Sequence, residues 1–187
     1  MADFFDECSR SFVEASRRFG ERFASLEESL ACQRPAPDSW SVAECTDHLY
    51  HSLLLYERKL EPCLASAPRG PNAIGRGTLT GRLLMWVLDP ARKKVRRVRV
   101  PKNFEPGARH DIDWSELVAA YPAMCESWIA HIEASRSLPV GRLRLATPMS
   151  KWLKVSAAQA LEINAAHQGR HLDQAERALR AVQAPRA

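Results

Sequence analysis

The stretch SAAQALEINAAHQGRHLDQAERALRAV, residues 156–182, decides the fold. Ser156 and, three residues later, Gln159 form a capping-box pair, in which each side chain can satisfy the other's backbone N–H at a helix start. Alanine and leucine then recur in steps of three and four with no proline, which predicts a helix to about Val182. At about 100° per residue, His167 and His171 differ by only about 40° and project from one side. Ala157, Ala160, Asn164, Ala175, Ala178 and Val182 fall on that side, with Leu161, Leu172 and Leu179 next to it. Small residues leave room beside the imidazoles where ordinary core packing would favour leucine. This spacing can bring two ring nitrogens to about 2.0–2.1 Å from one zinc-like ion. The zincin motif H-E-x-x-H shares the spacing but needs a glutamate as general base. Gln168 stands at that position and cannot take a proton.

The same periodicity recurs upstream. Phe5, Cys8, Phe12, Ala15, Phe19, Phe23, Leu26 and Leu30 draw one apolar stripe, predicting a long first helix that RPAPDSW, residues 34–40, breaks. A second helix begins at Ser41, whose capping-box partner is Glu44, with Trp40 placed to close over the first turn. Its stripe is Val42, Cys45, Leu49, Leu53, Tyr56 and Leu60. A third starts near Asp113 and carries Trp114, Leu117, Tyr121, Cys125, Trp128 and Ile132. Pro122 is expected to bend it or delay its start. Between them, residues 68–112 are rich in glycine, proline and arginine and read as an insertion, with LTGRLLMWVL (79–88) as a short helix. The prediction is an all-α fold, a four-helix bundle of antiparallel helices with an insertion between the second and third, as one domain over 1–187.

Composition narrows the class. A chain of 187 residues, 45% hydrophobic, can bury one real core. No apolar run approaches the ~18 residues of a membrane span, and MADFFDECSRSF carries acids where a signal peptide would be basic. The expectation is a soluble, cytoplasmic protein with no membrane partner. Five cysteines without a C-x-x-C predict reduced thiols, neither a disulfide framework nor a cysteine zinc site. The net charge is +5, but RKKVRRVRVPK, residues 92–102, holds seven basic residues and leaves the remainder at −2. The basicity is local, so nucleic acid is not the expected partner. The segment reads as a solvated arm, or as a contact for an anionic ligand or another subunit.

Two histidines rarely suffice for a metal, so a third ligand is required. In DHLYH, residues 47–51, His48 lies at the margin of the core stripe and His51 on the outer face, which favours His48. His110 falls in the insertion. His131, at the edge of the third helix, is a further candidate. The competing reading leaves His48, His167 and His171 as polar groups at helix margins. Glu44, one turn before His48, is a candidate catalytic base, and its capping role accounts for it equally well. Asn164 and Gln174 are candidates to orient imidazoles or bind ligand. Trp40, Tyr50, Trp86 and Trp152 are candidate pocket walls or core, and Arg170, on another face, is expected in solvent.

These residues resemble the DinB-like (DinB/YfiT) superfamily of metal-binding four-helix bundles. WSVAECTDHL, residues 40–49, is similar to the family's W-S-x-x-E-x-x-x-H-L. TPMSKWLKVSAAQALEINAAHQGRHLDQ, residues 147–174, is similar to its stretch ending H-x-x-R-H-x-x-Q, and VPKNFEP, residues 100–106, resembles a connector of some members. The resemblance implies that His48, His167 and His171 hold a divalent ion, zinc or nickel, and that the protein is a homodimer. It also implies thiol-dependent transferase or isomerase activity, with bacillithiol or mycothiol as a low-molecular-weight cosubstrate, or hydrolase activity. Three imidazoles would leave an open coordination position, as catalytic metals require. The expected function is therefore a metal-dependent thiol transferase or hydrolase acting on a small-molecule substrate. The alternatives are a non-catalytic metal- or ligand-binding bundle, or an anionic-partner module using residues 92–102.

Overall fold

In the computed structural model, which describes residues 3–71, 74–75, 77–88, 105–106 and 112–184, the chain is mostly helical. In order it forms α1 (Phe4–Arg22), the single-turn α2 (Glu28–Ala31), α3 (Val42–Ala65), α4 (Leu79–Leu88) and α5 (Trp114–Ala134). An antiparallel hairpin of β1 (Arg144–Thr147) and β2 (Ser150–Ser156) then leads into α6 (Ala157–Gln183). Both predicted capping boxes form. Ser41 Oγ accepts from the Glu44 N–H at 3.1 Å while Glu44 Oε2 accepts from the Ser41 N–H at 2.9 Å. Ser156 and Gln159 make the same exchange, each bond at 3.1 Å.

The four long helices surround a core rich in aromatic rings. Phe12 stacks on Trp128 with centroids 5.5 Å apart, and Phe19 meets Tyr121 at 4.9 Å and Trp114 at 5.9 Å. Arg136, just past α5, pairs with Asp3 and Asp6 at the start of α1, so α1 and α5 are antiparallel. Arg18 reaches Asp173 and Glu176 at 2.8 Å, while Glu162 sits close enough to Cys8 to raise its thiol pKa. Helices α1 and α6 are therefore parallel. Cys63 Sγ lies 4.0 Å from the Arg144 carbonyl at one end of α3, and Trp40 packs on His171 at the other, so α3 and α6 are antiparallel.

These directions make α3 and α5 parallel, so the bundle of antiparallel helices expected from sequence contains two parallel pairs. The end of α3 and the start of α5 therefore lie at opposite ends of the bundle. Helix α4 is pinned to the start of α6 by Gln159. That side chain accepts from the Thr78 N–H at 2.7 Å and donates to the Thr78 carbonyl at 3.0 Å. Gly77, at φ +67°, and Gly81 allow this approach, because a Cβ at either would collide with Gln159. The basic segment 92–102 and His110 lie outside the described residues.

Three local readings change. The first helix stops at Arg22, since the N–H groups of Phe23 and Ala24 both turn back to the Phe19 carbonyl. Trp114 Nε1–H takes the Leu26 carbonyl at 3.1 Å, holding the chain outside a helix there. Phe23, Leu26 and Leu30 still face the core, so the periodicity survives the break. Helix α5 starts directly after Asp113, whose carboxylate caps the Glu116 N–H at 3.0 Å. It runs unbroken through Pro122, so that proline does not delay the start. The hairpin was not foreseen, because residues 151–154 are exposed on both faces and show no inward–outward alternation. Leu145 and Val155, paired across it, are buried and close one end of the core.

Phe19 is buried between Phe23, Trp114 and Tyr121. Phe19→Ala should lower unfolding free energy by about 3–5 kcal/mol, read from urea midpoints at an unchanged m value.

Candidate metal centre

Helix α3 supplies His48 on its second turn and α6 supplies His167 and His171, and their antiparallel packing brings the three rings together. One ring nitrogen from each lies within 4.8 Å of those of the other two. Ring centroids are 5.1 Å apart for His48 and His167, 4.6 Å for His48 and His171, and 4.5 Å for His167 and His171. The Nε2 atoms of His48 and His167 stand 3.3 Å apart. Two nitrogens each about 2.1 Å from a tetrahedral zinc would be roughly 3.4 Å apart, so the donor set fits a divalent ion. His48 and His171 are 5% and 8% exposed, and His167 is partly open to solvent.

The surroundings keep His167 and His171 neutral. Burial, and then the neighbouring His48 and Arg170, push the His167 imidazole well below the usual histidine range. Burial also pushes His171 down, helped by His167, His48 and Arg170, while its contact with Gln174 works in the opposite direction. A neutral imidazole presents the lone pair that a metal requires. His171 Nδ1 lies 3.1 Å from Gln174 Oε1, an acceptor, which places the proton on Nδ1 and leaves Nε2 for a ligand. Trp40 covers one side, with its ring centroid 5.0 Å from that of His48 and stacked over His171 at 5.8 Å.

The remaining sequence candidates divide. Glu44 is buried in its capping box, and its carboxylate also takes a bidentate ion pair from Arg34, with Nε at 3.0 and 2.9 Å from the two oxygens. Arg34 was missed because it lies in the proline-rich connector, where no periodicity marks it. His51 pairs with the buried Asp47 at 3.2 Å, and His131 with Glu57 at 3.1 Å, so neither joins the cluster. Asn164 donates to the Ala160 carbonyl at 2.8 Å. Gln168 is fully buried on the far side, accepting from Tyr121 Oη at 2.8 Å, a core role its polar chemistry concealed. Trp86, on α4, and Trp152, on β2, are both exposed. Tyr50 packs against His51. Arg170 is half-buried instead of fully solvated.

None of the chain's own thiols is activated. Burial pushes Cys8 and Cys125 up to about 12 and Cys45 higher still, and the exposed Cys32 and half-buried Cys63 are also raised. A thiolate at this centre would have to come from a second molecule.

Comparisons with curated proteins and with solved structures return no match. A family model described as the DinB superfamily matches residues 11–175, a span that begins inside α1, ends inside α6 and contains all three histidines. The chain therefore belongs to the DinB superfamily.

Proposed function

We propose that this chain is a metal-dependent enzyme that activates a small thiol or a water molecule at a three-histidine centre. The observation that carries the reading is the convergence of three imidazole nitrogens within 4.8 Å, with one side open to solvent at His167. His48, His167 and His171 would hold a divalent ion, zinc or nickel. When bound, that ion supplies Lewis acidity, which lowers the pKa of a thiol or water in its open position. Gln174 sets the tautomer of His171, and Trp40 excludes solvent from one flank. Glu44 is the candidate acid–base group, and it would have to release Arg34 to accept a proton. The raised pKa of every cysteine supports a low-molecular-weight thiol as cosubstrate, with attack on a small electrophile such as an epoxide or halide. Ester or amide cleavage is the hydrolytic form of the same centre. Family likeness supports a homodimer, and the unpaired cysteines support a cytoplasmic setting.

Protein purified without an affinity tag should carry about one zinc or nickel ion per chain by elemental analysis. Thiol consumption with an electrophile, or ester hydrolysis, should vanish with the metal in His48→Ala. A protein that stays metal-free and indifferent to added zinc and nickel would overturn the proposal. Stoichiometric metal without turnover would leave a binding bundle in its place.

Gln174→Ala removes only the partner of His171 Nδ1. Metal affinity should fall about 10–100-fold in competition with a chromophoric chelator, with helical content unchanged.

A further inference from the structure

The end of the bundle away from the histidines presents an apolar face. On α4, Leu79, Leu83 and Trp86 fall within about 60° of one another and point outward. Leu79 is 80% and Leu83 61% exposed. The opposite side of the same helix is also apolar, with Gly81 buried against Gln159 and Leu84 and Met85 packed on the core. The hairpin continues the face, for Thr78 Oγ1 donates to the Lys154 carbonyl at 3.0 Å and ties α4 to β2. Trp152 is 81% exposed, and Met149 and Leu153 are exposed beside it. Successive strand residues point to opposite sides, so the hairpin projects with both sides open. An apolar patch of this kind marks an interaction site.

Charge decides the occupant. Residues 77–88 and 141–161 contain no aspartate or glutamate, whereas Arg82, Lys151 and Lys154 are exposed among the apolar side chains. Lys151 Nζ lies 5.2 Å from the centroid of the Trp152 ring. A second copy docking by the same face would set these three cations against their own counterparts. A negatively charged lipid surface meets both chemistries, since tryptophan and leucine enter the boundary below the headgroups while lysine and arginine reach the phosphates. We propose that α4 and the hairpin dock the protein on the surface of an anionic bilayer. Among the described residues no helix is long and apolar enough to cross a membrane, so the contact is superficial.

The test uses the full chain with vesicles of phosphatidylcholine alone or mixed with phosphatidylglycerol, followed by co-sedimentation and tryptophan emission. Binding should require phosphatidylglycerol, weaken with salt and shift emission to shorter wavelength. Lys151→Glu and Lys154→Glu should each weaken it roughly fivefold or more. Leu83→Glu with Trp152→Glu should abolish pelleting, with circular dichroism unchanged because both positions are exposed. The proposal is overturned if the protein does not pellet at low salt or if the Glu variants pellet as well as the parent. A dimer that Trp152→Glu dissociates would likewise overturn it, by giving the face to a second copy.

Discussion

The antiparallel seam between α3 and α6 is the constraint on which the rest of the structure depends. Each helix begins at a capping box, and the two boxes lie at opposite ends of the bundle. Those starts define the register in which His48 passes His167 and His171. A slip of one turn, about 5.4 Å, would exceed the whole 4.8 Å spread of the ligand nitrogens. Glu44 shows how closely capping and site are linked, because the carboxylate that starts α3 also holds Arg34 and lies one turn from His48.

Enclosing three imidazoles favours their uncharged forms, since burial disfavours a charge without a partner. That is a cost to the apo chain only in acid. Near neutral pH it leaves His167 and His171 with lone pairs, beside the ring nitrogen of His48. The small side chains along α6 make the enclosure possible, since Ala160 and Ala175 are fully buried where leucine would fill the space beside the rings. The aromatic core around Phe12, Phe19, Tyr121 and Trp128 supplies the opposing stiffness, on the α1 and α5 side.

The parallel pairing of α3 with α5 separates two chemistries in space. Helix α4 is seated at the start of α6, beside the hairpin. The buried histidines come from α3 and the middle of α6, whereas Trp152, Lys151 and Lys154 are exposed on β2.

By itself the sequence determined the helices and their inner faces, because steps of three and four with capping pairs at Ser41 and Ser156 are local signals. It also determined that His167 and His171 share a side, which is helical geometry alone. The break at Phe23 escaped it because the residues beyond still face the core and keep the period. The hairpin escaped it because Lys151, Trp152, Leu153 and Lys154 alternate nothing. The position of His48 at the margin of its stripe already favoured it, but only the tertiary structure brought it to His167 and His171 and turned His51 and His131 to Asp47 and Glu57. The same holds for Arg34 on Glu44. Each of these outcomes rests on which helices are neighbours and in which direction they run, and a single chain's periodicity carries no record of either.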